Sequence, residues 1–159
     1  IEGMKNIRIM KTQNELSIDA SKVDMSNSIN ISLTDNKGRV RNLQDLVGKV
    51  VLLDFHLFAS KNSMQRIMML RELYNKYHNS GLEIYQVSID GDEHFWKMQT
   101  AALPWVCVRE TDASLGQSLI SYNVQNVPTF FLLKRDNSVY KRDAQVGNLD
   151  AEIASLLKQ

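Results

Sequence analysis

Residues 50–63 read Val-Val-Leu-Leu-Asp-Phe-His-Leu-Phe-Ala-Ser-Lys-Asn-Ser, and this stretch does most to decide the fold. Its first six residues form a nearly continuous apolar run, which is typical of a central strand that is buried on both faces. From Ser60 to Asn79 the apolar residues have helical spacing, with Ser60 as a candidate N-cap and Gly81 just beyond the end. The stretch therefore predicts a buried strand that leads into a long amphipathic helix.

The rest of the chain continues the alternation of strands and helices. We predict strands over residues 30–33, 40–43, 82–89, 105–108, 129–133 and 139–142, and helices over residues 93–102, 114–122 and 151–157. Candidate N-caps are Asp112 or Ser114 for the second of these helices and Asp150 for the last. The alternation predicts an α/β domain, and the closing antiparallel pair makes its central sheet mixed. Residues 1–30 show no clear pattern, so we expect an N-terminal arm, or the remnant of a preceding segment, before a domain over residues 31–159.

Composition narrows the possible functions. The chain has 159 residues, of which 43% are hydrophobic, and this is ordinary for one domain with a real core. Its 19 basic and 18 acidic residues nearly cancel, so no large positive field is available for nucleic acid. No apolar run approaches the roughly 18 residues of a membrane span, and no signal peptide is visible. The sequence begins at Ile1 rather than Met, and we expect it to be a piece of a longer precursor.

Four blocks of sequence, in order, resemble a single family. They are residues 51–55 with 60–63, residues 82–90 with Trp96, residues 103–105 with 112–115, and residues 122–132, which include Val127-Pro128-Thr129. Over about residues 31–158 they resemble the TlpA/ResA-like branch of the thioredoxin superfamily, which is related to the AhpC/TSA peroxiredoxins. The resemblance implies a thioredoxin-like fold, with a central mixed sheet flanked by helices on both faces, an N-terminal hairpin, and an inserted helix and strand at residues 91–109.

The resemblance also implies where redox chemistry should occur. The family carries a Cys-x-x-Cys motif between the first core strand and the long helix, and those two positions are Ser60 and Ser63 here. Disulfide exchange needs a thiolate, and a serine hydroxyl neither ionises readily nor forms a disulfide. Cys107 is the only cysteine in the chain. We therefore predict a redox-inactive domain that is not an enzyme and that needs no cofactor.

A binding function is the leading hypothesis. The resemblance implies that Pro128 is cis, that it faces the former redox site, and that the backbone of the residue before it pairs with an extended substrate segment. We therefore predict that an extended polypeptide or protein partner binds in the groove beside this loop. The residues expected to line that groove are His56, Lys61, Asn62, Asn126, Val127 and Pro128. Family resemblance also favours the periplasmic side of a bacterial cell envelope.

The sequence also leaves other functions open. Cys107 could support residual single-cysteine chemistry, although its apolar strand favours a buried thiol, or the domain could be purely structural. Ser60 or Ser63 with His56 and Asp54 suggests a hydrolase, but two residues on one strand do not by themselves place a hydroxyl between them.

Three further expectations concern single groups of residues. Asp54 matches a buried carboxylate of many thioredoxins, and we expect local hydrogen bonds to satisfy it. The three histidines lack the spacing of a zinc site. Most of the cluster Met64, Ile67, Met68 and Met69 is expected in the core, with an exposed Met64 or Met68 as the alternative.

Overall fold

The computed structural model describes residues 29–159, so nearly all of the predicted N-terminal arm lies outside the described residues. The strands are β1 Ser32–Thr34, β2 Val40–Asn42, β3 Val50–His56, β4 Leu82–Ser88, β5 Val106–Arg109, β6 Thr129–Leu133 and β7 Val139–Arg142. The α-helices are α1 Ser63–Tyr77, α2 Glu93–Thr100, α3 Gln117–Ser121 and α4 Leu149–Leu157. Short 3-10 turns cover Leu43–Leu46, His78–Ser80 and Asp143–Gln145.

The central sheet has five strands in the order β5-β4-β3-β6-β7. β3 runs parallel to β4 and antiparallel to β6, so the predicted mixed sheet is confirmed. β1 and β2 form a separate antiparallel hairpin, and a bridge between Asp35 and Val108 attaches this hairpin to the β5 edge. The predicted N-terminal hairpin and the inserted helix and strand, α2 and β5, are therefore present.

The core lies on both faces of β3. All seven residues of this strand are buried, and successive side chains point to opposite faces of the sheet. One face packs against the β1–β2 hairpin and α3, and the other against α1, α2 and α4. This arrangement is the one expected for a fully buried central strand, and it places the end of β3 between two layers of the domain.

The N-terminus of α1 differs from the prediction. The helix begins at Ser63 rather than Ser60, and Asn62 occupies the cap position without a side-chain capping bond. Ser60 contributes only its backbone carbonyl, which accepts a hydrogen bond from the Ser63 N–H at 3.2 Å. The prediction that Ser60 caps the helix is wrong because the chain makes one further turn after β3 before the helix starts.

The starts of two other helices, α3 and α4, also differ from the prediction. The Asp112 carboxylate accepts hydrogen bonds from the N–H groups of Ser114 and Leu115, and this turn delays the start of α3 until Gln117. Helix α4 is capped by the Asn148 side chain, which accepts a hydrogen bond from the N–H of Ala151.

Asp150, the predicted cap of α4, lies inside that helix. Its carboxylate instead accepts hydrogen bonds from the Tyr77 hydroxyl and the Lys76 ammonium at the end of α1. An acidic residue in the first turn interacts favourably with the helix dipole. Asp150 therefore correctly marked the start of α4, although Asn148 makes the capping bond.

Candidate functional site

The two serines of the Ser-Lys-Asn-Ser segment have different environments. Ser60 is exposed in the turn after β3, whereas Ser63 is the first residue of α1 and only 7% exposed. The Ser63 Oγ lies 2.7 Å from the Nε2 of His56, the last residue of β3. Ser63 is therefore part of a buried hydrogen-bonded pair, and Ser60 is available to solvent.

His56 is held as a neutral side chain. It is 2% exposed, and its ring packs edge-on against Phe58 with 4.4 Å between the ring centroids. Burial lowers the pKa of His56 below its usual value near 6.5; the Asp54 carboxylate opposes this shift and the Arg66 cation adds to it. The imidazole is accordingly uncharged at neutral pH, and one hydrogen bond joins it to the Ser63 hydroxyl.

Asp54 is fully buried, and its hydrogen bonds are satisfied as predicted. Its Oδ1 accepts from the Arg66 Nε at 3.0 Å and also from Nη2 of the same guanidinium. Its Oδ2 accepts from the Gln86 amide at 3.0 Å, and the Gln86 Oε1 in turn accepts from the Trp105 indole at 3.0 Å. Arg66 was not identified from the sequence. A signal was available, because a buried carboxylate needs a partner and the helix that follows the Asp54 strand carries an arginine.

The geometry does not assemble a serine hydrolase. The Ser63 hydroxyl does reach the His56 imidazole, but the acid that should orient that imidazole is engaged elsewhere. Both oxygens of Asp54 are occupied by Arg66 and Gln86, and neither makes a hydrogen bond to His56. A triad needs the carboxylate bonded to the histidine, so the Ser63–His56 pair acts as a structural contact.

One cavity of about 340 Å³, here called the proline-loop cavity, opens beside the loop before β6. It is lined by His56, Leu57, Ser60, Asn62, Gln65, Arg66, Val127 and Pro128. Four of the six predicted binding residues are thus brought together here, along with Ser60. The Val127–Pro128 peptide bond is cis.

Two predicted binding residues are not in the wall of the proline-loop cavity. Lys61 turns to the other side of the strand–helix junction. Asn126 is exposed next to the cavity, and its backbone carbonyl accepts a hydrogen bond from the Thr129 hydroxyl at 2.7 Å. That bond fixes the loop on which Val127 lies.

The backbone of Val127 keeps its hydrogen-bonding capacity. Neither its N–H nor its carbonyl makes a hydrogen bond within residues 29–159, although the side chain is half-buried against the core. Backbone polar groups are normally paired in folded proteins. An unbonded N–H and carbonyl next to a cavity can therefore form hydrogen bonds with the main chain of an extended peptide.

A second cavity of about 430 Å³, here called the methionine cleft, lies on the other side of Ser60. It is lined by Phe58, Ser60, Lys61, Ser63, Met64, Ile67, Met68, Arg71, Gln99 and Leu103. Met64 and Met68 are 74% and 61% exposed, so the expectation that most of this methionine cluster is core is wrong for both. Leu70 and Leu73 already fill the face of α1 that packs on the sheet, and the two methionines lie away from it.

Cys107 lies in β5 and is 2% exposed, which confirms the prediction of a buried thiol. Its Sγ contacts the Trp105 carbonyl at 3.6 Å, and burial raises its pKa to about 12. Within residues 29–159 no group of three His, Cys, Asp or Glu side chains is placed to hold a metal ion. No helix of that same part of the chain is long and apolar enough to cross a membrane.

Comparison with known proteins agrees with this architecture. A family model described as Thioredoxin-like matches residues 48–139. The chain belongs to the thioredoxin-like family. The thiol-disulfide oxidoreductase ResA of Bacillus thuringiensis is 31% identical over 114 residues, which are 71% of this chain and 65% of ResA. The chain therefore spans slightly less than two thirds of the length of this ResA protein.

Two solved structures are similar over most of their length. A solution structure of an uncharacterized thioredoxin-like protein from Bacteroides vulgatus has 45% identity and a TM-score of 0.79, over 90% of this chain and 94% of that one. A crystal structure of a candidate thiol:disulfide interchange protein DsbE from Chlorobium tepidum has 25% identity and a TM-score of 0.72, over 89% and 99% of the two chains. Together with ResA, they support the TlpA/ResA branch within the family.

Proposed function

We propose that this chain is a redox-inactive member of its family that binds an extended polypeptide in the proline-loop cavity. The observation that carries the first part is the chemistry of the two former cysteine positions. Ser60 offers an exposed hydroxyl, and the Ser63 hydroxyl is bonded to a neutral imidazole. Disulfide exchange proceeds by attack of a thiolate, and the one thiol of the chain is buried in β5.

The proline-loop cavity supports the second part of the proposal. It keeps a volume of about 340 Å³ beside a backbone N–H and carbonyl of Val127 that are free within residues 29–159. The charge of Arg66 is already matched by Asp54, and His56 is neutral, so the wall offers little net charge to a ligand. Such a site suits recognition of the main chain of an extended segment, with the amides of Asn62 and Gln65 at its mouth.

We further propose that the domain acts in the bacterial cell envelope, on the periplasmic side. The support for this location is the likeness to the ResA and DsbE proteins together with the family resemblance of the sequence. Fractionation of cells that express the complete gene tests the location, and recovery with cytoplasmic markers would contradict it.

Binding can be measured with a permanently unfolded probe. Fluorescently labelled α-lactalbumin, reduced and carboxymethylated, is titrated with the native chain and with Val127→Glu, and fluorescence anisotropy is recorded. We expect Val127→Glu to weaken binding by about tenfold or more, a loss of roughly 1.4 kcal/mol. Val47→Glu is the matched control, because Val47 is 59% exposed and lies outside the wall of the cavity.

A second variant allows the binding site to be tested even if Val127→Glu fails to fold. Asn62→Trp changes an exposed residue at the mouth of the cavity and should block it without disturbing the core. Affinity that is unchanged in both Val127→Glu and Asn62→Trp would refute the binding site. The same preparations should not accelerate insulin reduction by dithiothreitol, and acceleration that disappears in Cys107→Ser would overturn redox inactivity.

A further inference from the structure

The methionine cleft exposes an apolar stripe on α1. Met64, Met68 and Arg71 follow at intervals of four and three residues, so they lie on one face of the helix. Both methionines are more than half exposed, and Ile67 and Leu103 continue the apolar wall of the cleft. Polar residues form the other half of the wall, so the cleft combines exposed methionines with basic and polar groups, as protein–protein interfaces commonly do.

The charged side chains in the wall of the cleft are all positive. Lys61 and Arg71 are the charged residues in its wall, and no acidic side chain lines it. Within residues 29–159 neither cation takes part in an ion pair; Arg71 donates to the Ala102 carbonyl at 3.4 Å. From Met64 to Arg71 the helix rises about 10 Å, and Lys61 precedes that span. The cleft therefore presents two exposed methionines flanked by two positive charges that have no acidic partner within residues 29–159.

We propose that the methionine cleft docks an amphipathic helix of a partner protein, one whose apolar stripe has acidic residues at both ends. The cleft is walled by side chains of α1, by Gln99 of α2 and Leu103 just beyond it, and by the turn after β3, and none of these walls is a strand edge. Grooves of this kind take the apolar face of a helix through anchors at i, i+3, i+4 and i+7. Flexible methionine side chains adapt to such anchors, and Lys61 and Arg71 select carboxylates at the two ends.

This site is separate from the proline-loop cavity. The two walls have Ser60 in common and no other residue. Val127 belongs to the first wall, so Val127→Glu should leave docking at the methionine cleft unchanged. The experiments can therefore contradict the polypeptide-binding proposal without contradicting this one, and the reverse.

The test uses two synthetic 14-residue helical peptides that share one leucine stripe. One peptide carries glutamates at both ends of the stripe, and the other carries lysines at the same positions. The chain is labelled with ¹³C at its methionine methyl groups, and the signals of Met64 and Met68 are assigned with Met64→Leu and Met68→Leu. We expect the glutamate peptide to shift both signals and the lysine peptide to leave them unmoved.

Charge reversal tests specificity. The variant Lys61→Glu/Arg71→Glu should bind the glutamate peptide with an affinity that is lower by about tenfold or more. Its affinity for the lysine peptide should increase. Lys49→Glu/Lys158→Glu has the same net charge as this variant at exposed positions outside the cleft, and it should bind the glutamate peptide like the native chain.

Three outcomes would overturn the proposal. The first is the absence of any shift of the Met64 and Met68 signals at millimolar peptide. The second is equal binding of both peptides, which would reduce the cleft to a nonspecific apolar patch. The third is a concentration-dependent shift of these signals without peptide, which would assign the cleft to a second copy of this chain.

Discussion

The proline-loop cavity and the methionine cleft lie on opposite sides of Ser60, yet their side chains are used differently. In the first, the imidazole of His56 is paired with Ser63 and the guanidinium of Arg66 with Asp54. In the second, the methionines are exposed and the cations have no acidic partner within residues 29–159. In the two proposals, the paired side chains of the first cavity form a scaffold and its backbone groups would bind the ligand. In the methionine cleft, the unpaired and flexible side chains would contact the ligand directly.

Removing Asp54 should break the scaffold of the proline-loop cavity and have the largest effect. Asp54→Ala leaves the Arg66 guanidinium, which is only 15% exposed, without its carboxylate and leaves the Gln86 amide without an acceptor. Loss of one partner of a buried pair costs about 3–5 kcal/mol of unfolding free energy. Urea denaturation followed by circular dichroism measures this change.

The matched control is a surface ion pair. Lys97→Ala removes an exposed partner of Glu93 on α2 and should leave the unfolding free energy almost unchanged. A destabilisation by Asp54→Ala of under about 1 kcal/mol would show that Arg66 finds solvent easily and that the pair is not a scaffold.

The two serine positions allow a sharper comparison with a smaller effect. Ser63→Ala removes the hydroxyl that pairs with buried His56 and should cost about 1–3 kcal/mol. Ser60→Ala changes an exposed side chain and should alter the unfolding free energy by less than about 0.5 kcal/mol. Equal effects of the two substitutions in urea denaturation would contradict the buried Ser63–His56 pair.

Titration of His56 gives the smallest expected effect. Because burial lowers the pKa of His56 in the folded chain, the unfolded chain binds more protons below about pH 6.5. The contribution of His56 to stability is therefore fully present above pH 6.5 and is lost as the pH falls toward the folded pKa.

Urea denaturation between pH 7.5 and 5 should show this loss in the native chain and a flatter profile in His56→Gln. An NMR titration midpoint of the His56 ring at or above 6.5 would contradict the lowered pKa.

Much of the fold is readable from residues with strong local signals. Strands β6 and β7 span the residues predicted for them, because Pro128 precedes the first and a tight turn separates the two. In that turn Asn137 adopts a positive φ of 70°, and the Asp136 carboxylate accepts hydrogen bonds from Ser138. Turn chemistry of this kind is local, so the sequence alone is sufficient.

The start of α1 was harder to predict because several polar residues in succession could begin the helix. Ser60, Asn62 and Ser63 are all acceptable near a helix N-terminus, and propensity does not choose among them. In the structure the helix starts at Ser63, whose hydroxyl is bonded to His56 at the end of β3, a contact between residues that local propensity does not consider. That contact depends on how the turn after β3 folds.

The residues predicted for one groove are divided between two cavities or lie beside them. The sequence placed Lys61 and Val127 on one groove, while the structure separates them onto two sides of the strand–helix junction. Helical periodicity assigned Met64 and Met68 mostly to the core, since an apolar residue near the core stripe of a helix is usually buried. They are exposed because Leu70 and Leu73 already occupy the packed face of α1.

Ser60 belongs to the walls of both cavities. Two partners that each reach this residue compete for the same surface, so the occupancy of one cavity reduces the affinity of the other. Thermodynamic linkage makes that penalty identical in both directions, whichever partner arrives first. The position to which the family resemblance assigns a redox cysteine would then serve this chain as a point of mutual exclusion between an unfolded chain and a folded helix.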